Sequence, residues 1–420
     1  MFSDRAADMV LRARRMEYDG WLIVGIVFLS SALSIGTSNY AFGLYVQPLQ
    51  DTFGWTRTEI SASLSFWAIG SLTAPLLGRF MDNHGARPLL AGTLALFGVS
   101  LVLRPMMTEL WHFYALSFLQ FFAFSGMNTL PAGRLVGLWF PKSKGRAMGF
   151  AMMGNNFGGL TVPILTGYVL AVATWGSAFV VTGILAFAVA LLSVLFVHER
   201  TPGRSTATSG AKSSSATSGL PGLTVKQALR SDAFYYVTVA TALGSFTYSA
   251  LLPQISTHLL DQGTDDAAVV TLLSLLAAFG MAGKGVFGYL AERFTARIAM
   301  MLSLGGQTAL ISVIVAYPVG LHLWVIVPIF GFFFGAYGVL VTLLLQENFG
   351  LKYFGSIAGL SGLVGMIAAV AGPLMAGASF DYLDSYGPAF MAVAALFVTA
   401  ILLLTRVKSP LQRLAELSQE

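Results

Sequence analysis

Twelve continuous apolar runs dominate this chain and leave little choice of fold. They cover 20–46, 60–80, 88–106, 112–138, 147–172, 176–197, 234–257, 267–290, 298–318, 324–346, 355–378 and 389–405, each 17 to 27 residues long. A hydrocarbon core about 30 Å thick needs about 20 such residues per helix. None of the runs alternates apolar with polar residues as the strands of a membrane barrel do. Only 10% of the 420 residues are charged, against 56% hydrophobic, too little charge for the surface of a soluble protein of this size. The expected fold class is an all-α membrane protein with twelve transmembrane helices.

Lysines and arginines set the expected orientation. With both termini cytoplasmic, the inner segments hold Arg5, Arg12, Arg14, Arg15, Arg79, Arg87, Lys142, Lys144, Arg146, Arg200, Arg204, Lys212, Lys226, Arg230, Arg293, Arg297, Lys352, Arg406, Lys408 and Arg413, which is 20 of the 24 basic residues. The outer loops hold Arg57 and Arg104, and Arg134 and Lys284 fall within runs. This asymmetry is the positive-inside pattern, and it accounts for the net charge of +5 without nucleic acid. The first apolar run is too long for a cleavable signal. The segment Val10–Trp21 before it reads as an amphipathic helix at the inner headgroups. The chain has no cysteine, which excludes disulfides and thiolate metal sites.

The chain also repeats itself at an offset of 210 residues. GRFMDNHGAR (78–87) follows run two and GYLAERFTAR (288–297) follows run eight, so that Gly78, Asp82 and Arg87 match Gly288, Glu292 and Arg297. Runs five and eleven match at the same offset through Gly145 with Gly355, Gly149 with Gly359, Pro163 with Pro373 and Gly167 with Gly377. The Ser/Thr/Gly-rich stretch 200–222 between them has little to bury and reads as a flexible linker. The expected organisation is a six-helix bundle over 1–199, a cytoplasmic linker over 200–231 and a second six-helix bundle over 232–420, with the two bundles pseudo-symmetric.

Lys284 carries the chemistry. It lies eight residues inside run eight, counting from Glu292, about 12 Å deep at about 1.5 Å per residue. A cation at that depth costs several kcal/mol unless it pairs or faces a wet cavity. No Asp or Glu lies in the core of any apolar run, which points to a balancing charge that arrives with a small organic anion. Snorkelling along the lysine stem is the competing reading, and the stem barely reaches.

Two six-helix halves, a long inner linker and the Gly78–Asp82–Arg87 loop resemble the major facilitator superfamily. The loop departs from the common form at His84 and Ala86. That resemblance implies a substrate held near the midplane between halves that rock around it. YDGW (18–21), FGWTRTEIS (53–61) and WFPKSKGRAMG (139–149) further resemble the monocarboxylate transporters and the bacterial oxalate/formate antiporters. In those families a basic residue four positions before the run-eight glycine contacts the substrate carboxylate, and Lys284 stands there before Gly288, where arginine is usual. The resemblance also implies that Asn39 and Tyr40 line the cavity, with Asn128 and Tyr337 at similar depths. Two departures matter. The aspartate of proton-coupled animal members is replaced by Gly280, and no basic residue occurs from 355 to 383, where oxalate exchangers carry a second cation.

Each candidate has a plainer competitor. Tyr40 and Tyr337 can simply pack. Asn39, Asn128, Asn155 and Asn156 can bond between helices. Arg134, near the inner loop, reads as snorkelling or structurally bonded. The glycines of runs five and eleven read as close helix contacts. Asp82 with Arg87, and Glu292 with Arg297, read as gating pairs at inner helix ends, with Gly78 in the same loop. No histidine is placed as a midplane relay or metal ligand, no phosphate loop points to ATP drive, and no catalytic constellation is visible. The sequence therefore implies a non-enzymatic secondary transporter of small organic anions, monocarboxylates first, in a bacterial inner membrane, working as a monomer without cofactor or metal. Proton symport and carboxylate exchange are the two modes, and proton transfer on Lys284 itself would provide the first. An importer of a larger, partly apolar solute is the alternative substrate class, and a channel or an intramembrane enzyme is the alternative function.

Overall fold

The computed structural model describes residues 2–199 and 220–411, without the side chains of 2–17, 266 and 270. The body of the expected linker and residues 412–420, with Arg200, Arg204, Lys212 and Arg413, lie outside the described residues. The described chain is helical along every expected run. It divides into two compact units, one formed by Met1–Thr73 and Phe80–Gly219, the other by Ala74–Arg79 and Leu220–Glu420.

In the first unit, run one is α1 (Phe2–Ile35), a π-helical turn (Gly36–Tyr40) and α2 (Phe42–Phe53). Run two is α3 (Arg57–Ala62), a 3₁₀ turn (Ser63–Phe66) and α4 (Trp67–His84), of which Ala74–Arg79 fall to the second unit. Run three is α5 (Ala86–Val102) with a 3₁₀ turn (Arg104–Met106), and run four is α6 (Leu110–Met127) and α7 (Thr129–Trp139). Runs five and six are α8 (Lys144–Val172) and α9 (Trp175–Phe196). The helix expected ahead of run one is continuous with it in α1.

The second unit opens with Leu220–Leu223, which pairs with the end of run ten: Leu223 N donates to the Phe349 carbonyl at 2.9 Å and Leu351 N to the Pro221 carbonyl at 2.9 Å. Then follow α10 (Val225–Leu229) and run seven, built of α11 (Asp232–Gly244), a second π turn (Thr247–Leu251) and α12 (Ile255–Asp261). Runs eight and nine are α13 (Asp266–Arg293) and α14 (Ala296–Ala316). Run ten is α15 (Leu323–Gly335) and α16 (Tyr337–Phe349), and runs eleven and twelve are α17 (Phe354–Leu383) and α18 (Gly387–Arg406). Among the described residues, nine helical stretches meet the length and hydropathy needed to cross a membrane. Runs four, five and seven complete the twelve, two of them interrupted by a break or a π turn.

The 210-residue repeat extends to backbone detail. Thr37 lies in the first π turn and Thr247, its match at that offset, in the second. The third helix of each unit starts at matched residues, Ala86 and Ala296. Each start is met by a carboxylate. Ala86 N donates to Glu199 Oε1 at 2.5 Å, and Ala296 N donates to both oxygens of Glu347 at 3.0 Å. An acid at a helix start satisfies an amide that has no intrahelical partner and suits the positive end of the helix dipole.

Packing within each unit follows small residues and aromatic rings. α1 and α8 interlock through Phe28, whose ring lies 5.5 Å from Phe150 and 5.2 Å from Phe157. A methyl group on Gly158 would collide with the Ala32 carbonyl, as expected of a glycine that lets two helix backbones touch. Gly167 and Gly377 match in the repeat, but a methyl group added at either would meet no atom within 4 Å, so that pair does not mark helix contact.

Candidate functional site

Lys284 sits on α13 with 6% of its surface exposed. The turn that carries it is pressed against α15. A methyl on Gly283 would collide with the Phe332 carbonyl, and one on Gly335 with the Gly280 carbonyl. Backbone-to-backbone contact fixes the rotation of α13, and hence which way residue 284 projects. Gly283→Ala is therefore expected to destabilise the protein by about 3 kcal/mol, the upper end of ordinary overpacking costs. Gly338→Ala on α16, where no atom lies within 4 Å, is expected to be neutral. Melting temperatures of the two purified variants check this.

Tyr337 opens α16 and is buried. Its hydroxyl donates to the Thr241 carbonyl on α11, and its ring lies 5.8 Å from that of Tyr248. Its proton is thus spent on backbone. The oxygen keeps acceptor capacity, which an anion cannot use.

In the first unit, Asn39 and Tyr40 end the π turn and are exposed, Tyr40 by 49%. One edge of the Tyr40 ring rests over Gly159 of α8. Asn128 is buried at the break between α6 and α7, with φ −123° and ψ −104°. Its Nδ2 donates to Asn155 Oδ1 on α8 at 3.2 Å. The amide thus bridges two helices of its own unit.

Of the charges expected to gate, Asp82 belongs to a largely buried cluster around Arg134 that includes a residue with no signature in the sequence. Arg134, with no exposed surface, holds Glu199 through two bonds, Nε to Oε1 at 2.7 Å and Nη2 to Oε2 at 2.9 Å. Its Nη1 lies 3.5 Å from Asp82 Oδ1. Arg134 is therefore structurally bonded and does not snorkel. Glu199 joins α7 to the start of α5 as well as closing the ion pair. The only signal for it in the sequence is an acid just beyond run six, spaced from Arg134 by no motif. Arg87 donates to the Val194 carbonyl and Arg297 Nη1 to the Val407 carbonyl at 2.7 Å, so each anchors the start of a third helix to the end of a sixth. Gly78 and Gly288 are both buried, and Glu292 is half-buried.

Arg104 lies in the turn between α5 and α6. Counted from sequence as an outer-loop charge, it is 3% exposed. Its Nη2 donates to Gln120 Oε1 at 2.5 Å and to Ser117 Oγ at 3.3 Å, and its guanidinium faces the rings of Phe113 at 5.0 Å and Phe179 at 4.5 Å. Its place in the connection is as expected from the end of run three, and residues from α6 and α9 bury it there.

The major facilitator superfamily model matches residues 27–373. Monocarboxylate transporter 13 of Bos taurus is 24% identical over 389 residues, covering 90% of this chain and 87% of that protein. Two solved structures share the fold. The human organic anion transporter MFSD10 has a TM-score of 0.71 at 16% identity, covering 92% of this chain and 99% of its own. The proton:xylose symporter XylE has a TM-score of 0.71 at 14% identity, covering 94% and 98%. With the family's pattern matched across most of its length, the chain belongs to the Major Facilitator Superfamily, a family of membrane transporters and not of enzymes.

Proposed function

We propose that this transporter carries small organic anions, monocarboxylates first, by alternating access, and that Lys284 binds the substrate carboxylate. The observation that carries the reading is a lysine buried well inside α13, away from both its ends, on a helix whose rotation the glycine contacts fix. The similarity to a monocarboxylate transporter supports the substrate class. Asn39 and Tyr40 are the candidates for contact in the first unit, being accessible. Asn128 and Tyr337 belong to the same set and would first have to exchange the bonds they make to Asn155 and Thr241. Gly78, Asp82, Arg87, Glu292 and Arg297 are assigned to the conformational equilibrium. The basic residues at inner ends support cytoplasmic termini in a bacterial inner membrane. The monomer, with one bundle over 1–199, a linker and one bundle over 232–420, is taken as the working unit.

Of the two modes, proton symport through Lys284 is the first reading, because an amine can release a proton that a guanidinium keeps. The test uses proteoliposomes loaded with a pH-sensitive dye and free of internal carboxylate. External pyruvate is expected to enter and acidify the lumen, and Lys284→Arg is expected to lose the acidification. Uptake that requires internal carboxylate and moves no protons would replace symport by exchange.

A further inference from the structure

The π turn of run one holds two buried hydroxyl groups that the fold leaves with donors to spare. Ser38 is 1% exposed, and its Oγ accepts a bond from Gln120 Nε2 at 2.9 Å. Gln120 in turn accepts from Arg104 at 2.5 Å. The guanidinium can only donate, which fixes the amide orientation of Gln120 and the direction of the whole chain. Arg104 donates to Gln120, and Gln120 donates to Ser38. The Ser38 hydroxyl proton remains, and no acceptor for it occurs among the described residues. Thr37, its neighbour, is 3% exposed, and its Oγ1 is buried without a hydrogen-bond partner.

At the matched position of the second unit the hydroxyl is satisfied. Thr247, matched to Thr37, donates to Gln307 Oε1 at 2.8 Å and lies 3.1 Å from the Gly244 carbonyl. The second turn has an unfilled hydroxyl of its own, Ser249 Oγ, so the contrast between the units is confined to the matched pair Thr37 and Thr247. A buried hydroxyl without a bond costs stability, and such groups in native structures call for a ligand or a functional reason. π turns inside helices are frequent at functional sites. No carboxylate of the described residues meets Arg104, so the chain of donors starts from a buried positive charge that two aromatic rings only partly compensate. Donors linked in series to a cation are strengthened. The turn ends at the exposed Asn39 and Tyr40, so it borders accessible surface.

We propose that this π turn is an anion-binding subsite in which the Ser38 and Thr37 hydroxyls donate to a small monovalent anion, with Arg104 behind them through Gln120. A carboxylate group and an inorganic anion such as chloride share the required chemistry: compact, negatively charged and acceptor-only. The subsite rests on the reading of the protein as an anion transporter and adds a second anchor to it, independent of Lys284.

The test measures the melting temperature of the purified full-length protein against sodium formate, sodium pyruvate and sodium chloride at constant ionic strength, for wild type, Thr37→Val, Ser38→Ala and Lys284→Gln. Thr37→Val removes the unfilled hydroxyl at nearly constant shape. It is expected to raise the melting temperature without added anion and to weaken apparent anion affinity about fivefold, the worth of one ordinary hydrogen bond. Ser38→Ala is expected to weaken affinity about tenfold, the upper end for one hydrogen bond, with the stabilisation by anion retained in part in Lys284→Gln. Wild-type affinity in both hydroxyl variants would overturn the subsite, as would the absence of stabilisation by all three salts. Stabilisation by chloride alone, lost in both hydroxyl variants, would uphold the subsite and contradict the monocarboxylate reading. Carboxylate stabilisation lost in Lys284→Gln but unchanged in the hydroxyl variants would do the reverse.

Discussion

Replacing Lys284 with glutamine is expected to abolish carboxylate uptake by reconstituted protein while leaving it folded. Glutamine keeps most of the length and all of the polarity of the side chain, so the packing of α13 against α15 survives. What it removes, on the proposed reading, is the charge-assisted bond to a desolvated carboxylate. Truncating one partner of such a pair costs about 2–5 kcal/mol, or about thirtyfold to several-thousandfold in affinity. Lys284→Arg should retain binding in part, because the charge persists while the planar, larger guanidinium makes a different, two-pronged bond. Initial uptake rates at several substrate concentrations separate these cases. Full uptake by Lys284→Gln with unchanged apparent affinity would remove Lys284 from the site.

Arg134→Leu is expected to have the largest effect on folding. The substitution strips the guanidinium from Glu199 and Asp82, which it meets at 2.7 Å and 3.5 Å, and leaves two carboxylates at a buried inner helix end. Breaking a buried pair on one side costs about 3–5 kcal/mol, mostly through the charge left behind. Glu199 would still cap Ala86, so α5 should keep its start. The penalty should therefore fall on the junction of α4, α7 and the segment after α9. Thermal unfolding of the purified variant, followed by size-exclusion recovery on heating, reads the loss. Arg134→Leu combined with Glu199→Gln should recover part of it, because the two residues interact directly and their effects cannot add. A melting temperature equal to wild type would show that the cluster is incidental.

What could be read from the sequence divides along a physical line. Helices that cross a bilayer must satisfy their own backbone and be apolar for about 20 residues. Each run therefore announced itself locally, and the 210-residue repeat announced the doubling. Lys284 was legible for the same reason, as a charge where the surrounding composition forbids one. The burial of Arg104 was not legible because nothing in its neighbours in sequence reveals it. Gln120, Phe113 and Phe179, which bury it, come from other helices. The two π turns left no signal in the sequence, since a wide turn reflects one backbone bond shifted by a residue. Asn128 was noticed as an amide in an apolar run, but the break it makes between α6 and α7, and its bond to Asn155, depend on tertiary packing. Glu199 was missed because its role lies in what it touches, not in where it stands in the chain.

The most direct check of the central claim is equilibrium binding of radiolabelled pyruvate to purified protein, measured by scintillation proximity for wild type and Lys284→Gln side by side. Saturable binding by wild type, displaced by unlabelled monocarboxylates and not by xylose, together with its loss in Lys284→Gln, is the expected result. Saturable pyruvate binding of equal affinity in both proteins, or binding by neither while xylose or a larger apolar solute binds, would contradict it.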